Sequence, residues 1–204
     1  MKADVQVVFF DIGNVLLHFN PREVLKEIAG ALGRRPGKIA DFVWTSRKIE
    51  ALERGEFGTD ELFRTFREEL GYEGEFDQFK KLWCDHFTLN RSVAAILKKV
   101  SKRLPTYLFS NTHALHYEHI RENYAFTKHV KGAVLSHEVG MRKPEPRIYA
   151  AALKIAGVKK PEQALLIDDL KANVRAARKA GLIAIRFRSP EHLFRKLKAL
   201  GVIV

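Results

Sequence analysis

The chain has 204 residues, a length that suits one α/β domain with a modest insertion better than two large domains. Its hydrophobic fraction of 46% supplies a core and argues against disorder. The 36 Lys and Arg residues against 24 Asp and Glu give a net charge of +12, which favours anionic partners; the basic residues are scattered among acids, so nucleic acid is not the expected one. The densest basic region, Arg186, Arg188, Arg195, Lys196 and Lys198, reads as one face of a terminal helix. No apolar run reaches the ~18 residues of a membrane span, and Met1–Asp4 leads into a strand with no signal-peptide core. A soluble, cytoplasmic protein, monomeric or dimeric, is the expectation. The single Cys84 excludes an internal disulfide and a Cys-based zinc site, and reads as a buried spectator.

Val5–Phe10 is a short apolar run of the kind buried on both faces of a parallel sheet, and it ends in the polar turn Asp11-Ile12-Gly13-Asn14. Residues 19–87 follow as an insertion with four expected helices and no strand. Asn20-Pro21 caps and starts the first, Lys38–Arg54 is amphipathic, Thr59 caps the third, and Phe76–Phe87 is the last. Thr106–Phe109 is the next buried run and ends in Ser110-Asn111-Thr112. Ala133–Leu135 is weaker, Ala164–Ile167 ends in Asp168-Asp169, and Ile183–Phe187 follows the helix-ending Gly181. Strand, polar loop and helix in repetition predict an α/β fold with a doubly wound parallel sheet, whose ligands bind beyond the carboxyl ends of the strands.

Three of those strand ends deliver chemistry. Asp11 stands at the active edge of the sheet or merely caps the next helix or ends the strand. Two adjacent carboxylates, Asp168 and Asp169, repel each other unless a hard cation lies between them, and magnesium is the expected cofactor. Lys143 is stiffened by Pro144 at the entrance of a helix begun by Pro146, which suits an ammonium that neutralises phosphate oxygens. Ser110 and Asn111 can bind a phosphoryl oxygen with help from backbone N–H groups.

Taken in order, Asp11-Ile12-Gly13-Asn14-Val15, Ser110-Asn111-Thr112, Lys143-Pro144 and Asp168-Asp169-Leu170-Lys171-Ala172-Asn173 resemble the four motifs of the haloacid dehalogenase superfamily, over essentially the whole chain. The segments around Asp11 and Lys143 are most similar to its sugar-phosphate phosphatases. The resemblance implies a Rossmannoid core, residues 1–18 and 88–204, with a small helical cap of the first type, residues 19–87. It implies a magnesium-dependent phosphatase acting on a small phosphorylated metabolite through an aspartyl-phosphate on Asp11. Asp11, the Gly13 carbonyl and Asp169 would hold the metal, with Asp168 direct or through water. Ser110, Lys143 and the backbone of Ile12 and Asn111 would bind the phosphoryl group, and Asn173 would support the acidic loop. Gly13 is a departure, because most phosphatases of the superfamily carry a second Asp there as general acid and base. A water, the substrate, His18 or His113 are the candidates for that task. Two alternatives follow from this gap: a metal-independent 2-haloacid dehalogenase, or a non-catalytic binding protein on the same fold. Arg47, Glu50 and Trp44 are candidate cleft residues, with ordinary helix surface as their bland alternative.

Overall fold

The computed structural model describes residues 4–42 and 47–203. Five short strands, β1 (Val7–Phe10), β4 (Thr106–Ser110), β5 (Gly132–Leu135), β6 (Ala164–Asp168) and β7 (Ile183–Arg186), form a parallel sheet in the order β5-β4-β1-β6-β7. The central strand is buried throughout, and alternation splits its side chains between two cores. Val8 and Phe10 face α6 (Arg91–Ser101) and α11 (Pro190–Ala199). Val7 and Phe9 face α9 (Pro146–Ala156) and α10 (Lys171–Lys179). The chain runs from β1 outward to β4 and β5 on one side, then to β6 and β7 on the other. The reversal at β1 places Asp11, Ser110 and Asp168 together at the carboxyl edge.

The strands match the sequence reading with small shifts. β1 begins at Val7 rather than Val5, and β6 takes in Asp168. The insertion is corrected in more detail. It is bracketed by a two-stranded antiparallel pair, β2 (Leu17–His18) and β3 (Thr88–Leu89). Between them lie five helices among the described residues, not four: α1 (Pro21–Ala31), α2 (Pro36–Ala40), α3 (Lys48–Glu53), α4 (Thr59–Leu70) and α5 (Phe76–Cys84). Lys38–Arg54 is not one helix, because Arg47 is left-handed at φ 57° and α3 begins only after it. Gly58, not Thr59, is the cap of α4, and the last helix stops at Cys84 rather than Phe87. Asn20 caps α1 as expected, its side chain accepting from the Arg22 N–H.

These helices bury a cluster of their own around Phe66, Phe79, Leu62 and Trp83, to which Leu115 of α7 (Ala114–Asn123) contributes from outside the insertion. Phe66 packs edge-on to Phe42, Phe79 and Trp83, at centroid separations of 5.3, 5.0 and 5.3 Å. No helix among the described residues is long and apolar enough to cross a membrane.

Candidate active site

The turn after β1 is wound tightly. The Ile12 carbonyl accepts from the N–H groups of Leu16 and Leu17, both at 2.9 Å, and Asn14 is left-handed at φ 52°. Asp11 is thereby fixed at the strand end, its own N–H on the Ile167 carbonyl of β6 at 2.9 Å. A Cβ built on Gly13 would meet nothing within 4 Å, so no crowding requires glycine where an acid was missed.

Lys143 is buried and lies between two carboxylates, with Nζ 3.0 Å from Asp11 Oδ1 and 2.6 Å from Asp168 Oδ2. It also donates to the Phe109 carbonyl at 2.8 Å. Asn111 clamps the same residue from the backbone side. Its Nδ2 donates to the Lys143 carbonyl and its Oδ1 accepts from the Lys143 N–H, both at 2.8 Å. The surface-lysine alternative is thus excluded for Lys143. The Asn111 side chain is committed to holding it, which leaves the Asn111 backbone for any ligand.

Asp168 is fully buried and saturated. It accepts from Lys143, from Asn173 Nδ2 on both oxygens at 3.0 Å, and from the Leu170 N–H at 2.9 Å. Asp11 differs: Oδ1 takes the Ile12 N–H at 2.8 Å, and Oδ2 accepts no hydrogen bond among the described residues. Ser110 is buried beside it, its Oγ making only a long contact of 3.4 Å with the Asn111 carbonyl.

Carboxylate oxygens of Asp11, Asp168 and Asp169 lie within 4.8 Å of one another. Three acids face one ammonium. Burial pushes the Asp11 carboxyl up from 3.8 to about 7, against the pull of Lys143 and with repulsion from Asp168 and Asp169 adding to the rise. Burial raises Asp169 as well, with Asp168 adding to it. Burial alone would lower Lys143, but the two carboxylates outweigh it and hold the ammonium charged. An excess of hard oxygen donors in a half-sealed pocket fits a divalent cation.

Above this group is a cavity of about 240 Å³, floored by Gly13, Ser110 and Asn111 and roofed by the insertion through Ile49, Glu53 and Trp83. Trp83 Nε1 donates to His113 Nε2 at 3.2 Å, and the His116 ring meets the Trp83 carbonyl at 3.0 Å. Burial lowers both imidazoles, His116 to about 4 and His113 well below its ordinary 6.5. Cys84 is buried against the Leu115 carbonyl, and burial pushes its thiol up to about 12, as suits a spectator. His18 lies elsewhere, with Asn14, His86 and Thr88.

The cleft residues were only partly legible in the sequence. Trp44 lies outside the described residues, and Arg47 is exposed away from the cavity. Glu50 takes part in an ion-pair network that joins α3 to the Lys143 loop. Arg142 Nε lies 2.6 Å from Glu53 Oε2, Arg142 Nη1 lies 3.2 Å from Glu50, and Arg54 Nη2 lies 2.7 Å from Glu145. Sequence reading missed Glu53, Trp83 and this network. Its one visible trace was the charge-dense stretch 47–56, which any solvated helix could carry.

The fold and its edge of acids define a doubly wound, Rossmannoid α/β scaffold with its candidate ligand site at the switch in strand order. A family model described as haloacid dehalogenase-like hydrolase matches residues 5–181, and the chain belongs to that family. Over 56 residues it is 41% identical to a glyceraldehyde 3-phosphate phosphatase of Methanopyrus kandleri, a match covering 27% of this chain and 24% of that protein. A HAD family enzyme of Bacteroides thetaiotaomicron, solved in complex with magnesium and inorganic phosphate, superposes with a TM-score of 0.80 at 24% identity, over 94% of this chain and 100% of the other. An L-2-haloacid dehalogenase of Xanthobacter autotrophicus, solved with chloropropionic acid covalently bound, superposes at 0.63 with 20% identity, over 98% and 85%. These two likenesses speak to the fold alone.

Proposed function

We propose that the chain is a magnesium-dependent phosphatase of small phosphomonoesters, sugar phosphates foremost, working through an aspartyl-phosphate on Asp11. The observation that carries this reading is the placement of Lys143 between Asp11 and Asp168, next to a partly enclosed cavity of about 240 Å³ that Gly13 and Ser110 line. Asp11 Oδ2, the oxygen without a hydrogen bond among the described residues, attacks phosphorus in line, and the bond from phosphorus to the ester oxygen breaks. Lys143, Ser110 Oγ and the Asn111 N–H face the charge spreading over the phosphoryl oxygens, and the Ile12 N–H turns to them from Asp11 Oδ1. Water then attacks the aspartyl-phosphate and frees phosphate and Asp11.

Asp11, Asp169 and the Gly13 carbonyl would hold magnesium, with Asp168 direct or through water, and the ion supplies charge neutralisation at the phosphoryl group when bound. Asp168 and Asn173 keep Lys143 and the acidic loop in place. Residues 19–87 act as the cap, closing over the substrate and excluding bulk water.

A phosphate-release screen over many phosphomonoesters with magnesium tests the proposal. Release is expected to stop on EDTA addition and in Asp11→Asn. Activity that survives Asp11→Asn overturns the nucleophile, and halide release from 2-haloacids that survives EDTA establishes the dehalogenase alternative instead.

A further inference from the structure

Resting on the phosphatase reading, we propose that Glu53, carried by the helical cap rather than by the sheet, is the proton donor to the departing ester oxygen, the task Gly13 leaves open. In-line attack by Asp11 puts that oxygen on the far side of phosphorus, toward the cavity rather than toward the sheet. Among the described residues, the cavity wall contains one carboxylate, that of Glu53. Its other titratable groups, His113 and His116, are engaged with Trp83 and held neutral by burial. His18 does not reach this cavity.

Glu53 is built for a fixed role. It is the last residue of α3, with a side chain only 18% exposed. Arg142 Nε donates to Oε2 at 2.6 Å, and Oε1 accepts no hydrogen bond among the described residues. Arg142 precedes Lys143, so one loop sets the positions of the phosphate-binding ammonium and of the cap carboxylate. Gly55, two residues on, is pressed against the His137 carbonyl, where an added Cβ would sit 2.3 Å from the oxygen; this close contact fixes the end of α3 over the sheet. The charged groups around Glu53 are Arg142 and Lys143 from the loop and Glu50 and Arg54 from its own turn, with Glu145 held on Arg54. Burial raises the Glu53 carboxyl above its ordinary 4.5; Arg142 and Lys143 oppose the rise and Glu50 adds to it.

The step balances. The Asp11–phosphorus bond forms, the bond from phosphorus to the ester oxygen breaks, and the proton of Glu53 goes to that oxygen, which leaves as an alcohol. Glu53 then takes a proton from the water that attacks the aspartyl-phosphate. Glu53 and Asp11 return to their starting states, and phosphate is released.

The test is Glu53→Gln in the full chain with magnesium, compared on glucose 6-phosphate and p-nitrophenyl phosphate. Nitrophenolate departs without a proton and the sugar alkoxide does not. The expected result is a kcat loss of roughly 100-fold or more on the sugar ester, with the initial burst of nitrophenolate unchanged. The alkaline limb of the sugar-ester pH profile should disappear with it. Gln keeps an acceptor for Arg142. Should that variant fold poorly, Glu53→Ala with added formate is the second arm, and formate should restore the phosphorylation step of the sugar ester while leaving the nitrophenolate burst unchanged. A nitrophenolate burst slowed as much as phosphorylation by the sugar ester, or neither step slowed, overturns the assignment. A wild-type chain that releases phosphate from no ester of the phosphomonoester screen overturns the phosphatase reading itself, and the assignment falls with it.

Discussion

Lys143 carries more of the site than any other side chain. Its ammonium satisfies two buried carboxylates, and its backbone is gripped by the Asn111 amide. Lys143→Met keeps the length of the side chain and removes the charge. Asp11 and Asp168 are then left facing each other without a counter-charge, a loss worth about 3–5 kcal/mol for a broken buried pair. Urea unfolding of the metal-free protein at pH 8 should report a loss of that order, together with loss of phosphate release. A stability change below about 1 kcal/mol would mean that the carboxylates are not held apart by this lysine.

At the scale of elements, α3 is the piece that turns an open sheet edge into a lidded site. Its individual ion pairs to the Lys143 loop are partly exposed, and such pairs contribute about 0.2–1 kcal/mol each. Their effect lies in orientation more than in stability. The tighter constraint is steric. Gly55 has φ 69° and no room for a Cβ against the His137 carbonyl. Gly55→Ala should therefore cost about 1–3 kcal/mol and lift α3, with Glu53, from α8 (Ser136–Val139), raising KM and lowering kcat together. Unchanged KM in a folded Gly55→Ala protein would show that the cap closes without this contact. Nothing in the local pattern of residues 47–56 announced such a contact, because its partner is more than eighty residues away.

Across the whole molecule the core is three apolar clusters, and α5 of the insertion meets α7 of the sheet domain at a seam that contains polar groups. There Trp83 meets His113 and His116, both neutral because burial disfavours their charged forms. The unfolded chain takes up protons at these positions once pH falls below about 6.5, and the folded chain resists until about 4 for His116. Stability contributed by neutral His116 is thus complete above pH 6.5 and is lost progressively as pH falls toward 4. Thermal unfolding across pH 7.5 to 4.5 should show a steeper acid decline for the wild type than for His116→Gln. Parallel curves would remove the imidazole from the account.

The strands, the polar residue closing each one, and the order of the motifs were set by local pattern: a buried run reads the same wherever it is docked, and the residue after it must lie at the sheet edge. That was enough to bring Asp11, Ser110, Lys143, Asp168 and Asp169 into one neighbourhood on paper. The burial of Lys143, the commitment of Asn111 to the Lys143 backbone and the saturation of Asp168 came only with folding. So did the placing of Glu53, rather than Arg47 or Glu50, in the cavity wall, and the break at Arg47. Each depends on which face of a short helix meets a loop some ninety residues distant, and helix periodicity describes a face without saying what will cover it.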